Sequence, residues 1–102
     1  MMDAIRDAVR EGQVVWQKHA LQRMMERGIS RQEVKMGILE GDVIEEYPDD
    51  KPFPSLLVAY VEEVPLHVVM SYDQTLSQVY VITVYRPDLR YFENDLKTRR
   101  KK

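Results

Sequence analysis

The chain of 102 residues contains no cysteine. Disulfides and thiolate metal ligands are therefore excluded, and a reducing compartment, the cytoplasm, is the expectation. Glycine is scarce: the four glycines stand alone at Gly12, Gly28, Gly37 and Gly41, so no glycine-rich phosphate loop is present. No apolar run approaches the roughly 18 residues that span a bilayer, and no signal-peptide pattern opens the chain, so no membrane partner is expected. Histidine is rarer still, at two, His19 and His67. A zinc site needs three or four ligands, which two distant histidines do not supply. There is no cysteine nucleophile and no serine in an elbow motif. Any chemistry this chain performs is expected to be metal-independent and without a cofactor.

What is present is ordinary in bulk and uneven in detail. A composition 44% hydrophobic and 31% charged suits one soluble globular domain with a single modest core. Net charge is −2, yet residues 1–96 hold all 17 acidic side chains and ten of the 15 basic ones, a balance of −7. The last six residues carry the remaining five cations. We expect one α+β domain over 1–96 and a basic tail over 97–102, with Arg99 and Arg100 available to phosphate. An acidic run, Glu40, Asp42, Glu45, Glu46, Asp49 and Asp50, reads as a solvated loop, the sharper alternative being a carboxylate metal site at Glu45, Glu46, Asp49 and Asp50.

Periodicity changes once along the chain. Ile5, Ala8 and Val9 share the face of a helix over 2–11, with Gly12 as its stop. Val14, Val15 and Trp16 lead into a second helix over 17–27, closed by Gly28. Ser30 and Glu33 form a capping box for a third helix ending near Glu40, with Val34, Ile38 and Leu39 inward and Gly41 ending it. Beyond Gly41 the pattern alternates, predicting strands over 43–47, 55–64, 66–73 and 78–86, the last two joined by a hairpin loop at 73–77. Pro48, Pro52 and Pro54 keep the intervening stretch out of a sheet. Leu89 to Leu96 reads as a short terminal helix. The expected architecture is two or three N-terminal helices packed on one face of a four-stranded antiparallel sheet.

On the second helix His19, Arg23 and Arg27 recur every four residues and line one edge, beside an apolar stripe of Ala20, Leu21, Met24 and Met25. An imidazole beside two guanidinium groups suits a phosphate backbone: arginine grips phosphate oxygens bidentately, and imidazole moves protons near neutral pH. It equally suits a solvated ridge in which Arg23 and Arg27 pair with Glu26 or the acidic run. In the strands, alternation puts His67, Val69, Ser71 and Asp73 on one face. In the last strand Val79, Val81, Thr83 and Tyr85 oppose Tyr80, Ile82, Val84 and Arg86. Residues drawn from His67, Tyr72, Tyr85 and Arg86 are then expected to line a face left open by the helices. Metal-free RNA cleavage needs a base for the 2′-hydroxyl, an acid for the leaving oxygen and cations on the phosphate. His19, His67 and Tyr85 are the candidates for the first two roles. Arg23, Arg27 and Arg86 are candidates for the third. The bland alternative for His67 is a half-buried structural histidine.

The order His19-x-x-x-Arg23-Met24-x-x-Arg27-Gly28-Ile29-Ser30-x-x-Glu33-Val34, then Gly41-Asp42-Val43-Ile44-Glu45, Pro65-Leu66-His67-Val68-Val69 and Val81-Ile82-Thr83-Val84-Tyr85-x-Pro87-Asp88, resembles the bacterial "domain of unknown function 4258" family. The resemblance runs from about Val15 to Arg100. It implies a relation to RelE/MqsR-like toxins, whose helix-plus-antiparallel-sheet fold cleaves messenger RNA. It further implies a cognate antitoxin as partner, of a type carrying a zinc finger and a helix-turn-helix. Two expectations follow: a metal-independent endoribonuclease toxin of a type II toxin–antitoxin pair, or a non-catalytic protein-interaction module of the same fold. The acidic balance of residues 1–96 departs from the basic surface of an RNA binder and favours the second.

Overall fold

The structure is a computed structural model, and it describes residues 1–101. Three helices and five strands follow one another as α1 (Met2–Arg10), β1 (Val14–Trp16), α2 (Lys18–Arg27), α3 (Arg31–Glu40), β2 (Asp42–Tyr47), β3 (Ser55–Tyr60), β4 (Leu66–Asp73) and β5 (Gln78–Tyr85). The sheet is mixed, in the order β1-β5-β4-β3-β2. The expected four antiparallel strands are thus joined by a fifth: Val14, Val15 and Trp16 run parallel to Val79, Tyr80 and Val81. Three residues are too few to show an alternation, so only the tertiary pairing makes them a strand. None of the described helices is long and apolar enough to cross a membrane.

The helices form where their apolar spacing lets one face be buried. Ile5, Ala8 and Val9 of α1, Ala20 and Met24 of α2, and Val34 and Ile38 of α3 meet Leu56, Val58, Leu66, Val68, Met70, Val79, Val81 and Val84 in one cluster. Ile5 and Ile38 are fully buried, and each contributes roughly 1.5–3 kcal/mol to stability. Helix α2 ends at Gly28, whose φ of 64° is left-handed, while the Ile29 N–H reaches back to the Met24 carbonyl at 2.9 Å. Buried Ile29 seals that turn. At the start of α3 the Ser30 hydroxyl accepts from the Glu33 N–H at 3.0 Å. Only this half of the capping box forms, because the Glu33 carboxylate pairs with Arg86 at 2.5 Å instead.

Two β-bulges decide which side chains face which way. Pairing slips at Ile44 in β2 and at Ile82 in β5. Strict alternation places Thr83 and Tyr85 with Val79 and Val81, but the extra residue at Ile82 reverses it. Val84 continues the helix-side row of Val79 and Val81, and Tyr85 and Thr83 lie opposite His67 and Val69 on the other face. Tyr72 lies in the helix-side core and Arg86 reaches Glu33 of α3, so neither joins His67 on the far face.

That far face is not open. Residues 87–101 cross it without forming the expected terminal helix, as turns closed by a single bridge between Phe92 and Arg99. The Glu93 N–H donates to the Thr98 carbonyl and the Arg100 N–H to the Tyr91 carbonyl, at 2.7 and 2.9 Å. Asp95 accepts the Lys97 and Thr98 N–H groups, both at 2.9 Å, which folds the chain sharply and competes with a helix. Lys97 reaches Asp42 and Arg99 reaches Glu45, so the stretch expected to be a tail lies against β2.

Gly41 joins α3 to β2 in extended backbone, with φ −83°. Its need for glycine is steric: a Cβ there would stand 2.4 Å from the Gly37 carbonyl and 2.7 Å from that of Ala59. Backbone cannot swing aside as a flexible side chain does. We expect Gly41→Ala to cost about 1–3 kcal/mol, lowering the melting temperature by about 5–20 °C. Thermal unfolding followed by circular dichroism checks this, and an unchanged midpoint would contradict the close approach.

Candidate functional site

The candidate residues divide between the two sides of the sheet. On the helix side, α2 buries Ala20 and Met24 and leaves Lys18, His19, Gln22, Arg23 and Arg27 exposed. Arg23 pairs with Glu26 at 2.9 Å, a surface contact worth little. Arg27 instead donates to the Val84 carbonyl at 2.6 Å and so fastens the end of α2 to β5. The guanidinium of Arg31 lies over the Trp16 ring, 5.6 Å from its centroid, just beyond this edge. His19, Arg23 and Arg27 therefore form the exposed row that their spacing requires.

On the opposite side, β4 and β5 bring His67 and Tyr85 into register as direct neighbours. His67 is fully buried. Its Nε2 lies 2.7 Å from the Leu96 carbonyl and its Nδ1 lies 3.1 Å from the Tyr85 hydroxyl. A carbonyl only accepts, so Nε2 carries the proton, and Nδ1 accepts from the Tyr85 O–H. Leu96 has φ 58°, a left-handed conformation costly for leucine, and this turn presents its carbonyl to the imidazole. Phe92 packs edge-on against the His67 ring at 4.7 Å between centroids. With the C-terminal segment docked, neither ring nitrogen of His67 is free for a substrate.

A second layer of polar groups supports the pair. Glu45 of β2 accepts from the Tyr47 hydroxyl and from the Nε and Nη2 of Arg99. Burial pushes the Glu45 carboxyl up, but the hydrogen bonds from Arg99 and Tyr47 outweigh it and hold it below the ordinary range. Tyr47 is raised, chiefly by its hydrogen bond to Glu45, and Tyr85 is raised chiefly by burial. For His67 burial dominates and lowers its pKa, against the opposing hydrogen bond to Leu96. Among the described residues no buried side-chain nitrogen or oxygen lacks a partner. This constellation is a satisfied network holding a neutral histidine.

Magnitudes identify what docks the segment. The Lys97–Asp42 and Arg99–Glu45 pairs are partly exposed and worth about 0–1 kcal/mol each. Burying Phe92, 2% exposed, is worth roughly 1.5–3 kcal/mol. Loss of the His67–Leu96 bond would leave a buried N–H unpaired, at about 1–3 kcal/mol. The aromatic ring and the imidazole hold the segment, and the ion pairs orient it.

The other candidates are placed as follows. Arg86 is half-buried between Glu33 and the Pro65 carbonyl, 3.2 Å away. Arg99 is held by Glu45, and Arg100 by Glu93 at 2.9 Å and by the Leu89 carbonyl. Glu45 and Glu46 of the acidic run point to opposite faces of β2, and among the described residues no three metal-type ligands gather. Sequence reasoning missed Glu45, Tyr47, Phe92 and Leu96 as the surroundings of His67. The available signal was the Ile44 slip, which is invisible until β2 is paired.

The chain belongs to the family described as Domain of unknown function (DUF4258), whose model matches residues 16–86. The match takes in β1 from Trp16 to the end of β5, including both His19 and His67, and stops before the segment that covers the far face. Comparison with curated proteins and with solved structures found no match to either.

The neutral, buried state of His67 sets a pH dependence. Above about 6.5 both folded and unfolded chains carry a neutral ring, and the contribution of the site is complete. As pH falls below that value the unfolded chain takes up a proton that the folded site resists, so stability declines until the folded site itself titrates. Urea unfolding between pH 8 and pH 5 should show this decline, and His67→Asn should flatten it while lowering stability throughout. Equal slopes for the two proteins would show that His67 is not the group responsible.

Proposed function

We propose that this protein is an endoribonuclease-type toxin of a type II toxin–antitoxin pair, acting on messenger RNA without a metal, with its RNA-facing edge on α2. One observation carries this reading: of the two histidines only His19 is exposed, and it stands in line with exposed Arg23 and Arg27. The resemblance to RelE/MqsR-like toxins, and the combination of three helices with a predominantly antiparallel sheet, support it.

In this reading Arg23, and Arg27 through the Nη2 that its bond to the Val84 carbonyl leaves over, hold non-bridging phosphate oxygens, and His19 removes the proton from the adjacent 2′-hydroxyl. The 2′-oxygen then attacks phosphorus, the bond to the 5′-oxygen breaks, and a 2′,3′-cyclic phosphate forms. The leaving 5′-oxygen takes its proton from solvent, because His67 and Tyr85 are engaged beneath the C-terminal segment. Arg86 serves Glu33 and leaves the phosphate to α2. A cognate antitoxin would silence the protein by covering α2.

A second reading, a non-catalytic interaction module of the same fold, is favoured by the satisfied network around His67. The two separate in one experiment. Induction of the wild-type chain in a bacterium should arrest growth and fragment messenger RNA, and purified His19→Ala should cleave RNA at least about 100-fold more slowly. Arg23→Ala should relieve the arrest as well. Normal growth with intact RNA would replace the nuclease with the interaction module, and cleavage unaffected by His19→Ala would remove α2 as the site.

A further inference from the structure

The outer side of the 87–101 segment encloses a cavity of about 390 Å3 lined by Arg90, Tyr91, Arg99, Arg100 and Lys101. Four cations and one aromatic ring line it without a carboxylate, in a chain whose net charge is −2. Asp88, Glu45 and Glu93 pair with Arg90, Arg99 and Arg100. Arg90 gives Nε and Nη2 to Asp88 at 3.0 and 2.7 Å, leaving Nη1 outside those bonds. Arg99 gives Nε and Nη2 to Glu45, and its guanidinium lies over the Phe92 ring, 5.0 Å from the centroid, so it is committed to the sheet side. Arg100 gives Nε to the Leu89 carbonyl and Nη1 to Glu93, leaving Nη2. The Arg90 and Arg100 guanidinium groups are thereby held in place while part of each donor fork stays unused, the arrangement that lowers the entropy cost of gripping an anion.

Tyr91 is the aromatic member of the cavity. Its side chain is among the exposed large apolar groups, at 59%. Yet its backbone is fixed at both ends, by its N–H to the Asp88 carbonyl at 3.0 Å and by its carbonyl accepting from Arg100 at 2.9 Å. The Arg90 guanidinium lies over the ring, 5.5 Å from its centroid. An exposed aromatic ring among cations suits the stacking of a nucleobase, which a phosphate alone does not use.

We propose that this cavity binds a nucleotide through its phosphate, with the base stacked on Tyr91 and the phosphate oxygens held by Arg90, Arg100 and Lys101. The ligand is a free mononucleotide or a nucleotide within single-stranded RNA, which share this chemistry. The cavity lies on the far side of the sheet from α2, so it stands apart from cleavage at His19. Arg90, Tyr91 and Lys101 enter as binding residues beyond those read from the sequence.

The test uses the full chain carrying His19→Ala, which keeps the RNA probe intact, and reads fluorescence anisotropy of a labelled short single-stranded RNA with adenosine monophosphate and inorganic phosphate as competitors. Tyr91→Ala should weaken RNA and adenosine monophosphate binding by at least about fivefold, and Tyr91→Phe should restore it. Arg90→Ala should reduce the steepness of the salt dependence by about 0.7 in the log–log slope. Both positions are exposed, so melting curves should match the parent and exclude unfolding as the cause. Adenosine monophosphate binding as tightly as RNA assigns the site to a free nucleotide. RNA binding more than about tenfold tighter assigns it to a strand, by 1.4 kcal/mol or more. Absence of binding, or binding that both Tyr91→Ala and Arg90→Ala leave unchanged, overturns the proposal. Cleavage by the wild-type chain is scored separately, so failure of the nuclease reading leaves this result standing.

Discussion

The hydrogen bond from His67 Nε2 to the Leu96 carbonyl, 2.7 Å long, is the constraint on which the placing of residues 87–101 depends. It fixes the imidazole tautomer, and that tautomer turns Nδ1 into the acceptor for Tyr85. Leu96 has a left-handed backbone where its carbonyl meets the imidazole, and Phe92 of the same segment packs edge-on against the ring. The far face of the sheet, which helix packing alone would leave open, is closed as a result. Leu57 and Ala59, 1% exposed each, are buried there as completely as the helix-side residues.

This closure separates two groups of residues that look equivalent in the sequence. His19 and His67 are the two histidines and the two acid–base candidates, yet one is solvent-exposed on α2 and the other is sealed in a satisfied network. A buried histidine bonded at both nitrogens specifies a conformation, whereas an exposed one beside two arginines can meet a ligand. The same logic applies to the arginines. Arg86 and Arg27 fasten elements together, through Glu33 and the Val84 carbonyl. Arg90 and Arg100 keep part of their donor sets for the cavity beside Tyr91.

Much of the helical half was legible in the sequence. The i, i+3, i+4 spacing of Ile5, Ala8 and Val9, the Ser30 cap and Gly28 each act within one turn, so local chemistry suffices to place α1, α2 and α3. The antiparallel strands β2 to β5 were legible for the same reason, from alternation and from the prolines that bound them. The bulges at Ile44 and Ile82 were not, because a bulge is a mismatch between two partners and has no meaning in one strand alone. That one extra residue moved Tyr85 to the side of His67 and sent Arg86 to the side of α3.

The sequence by itself determined the three helices, four of the five strands, the exposed His19–Arg23–Arg27 edge and the pairing of helices with one sheet face. These follow from periodicity and from caps, which are properties of neighbouring residues. Only the tertiary structure decided that Val14 to Trp16 is a strand, that Tyr85 faces His67, and that Lys97 and Arg99 lie against Asp42 and Glu45. Each of these rests on a contact between residues far apart in the chain. Such a contact forms only when burial and hydrogen bonding together outweigh the entropy of closing the loop between them. No local pattern records that balance.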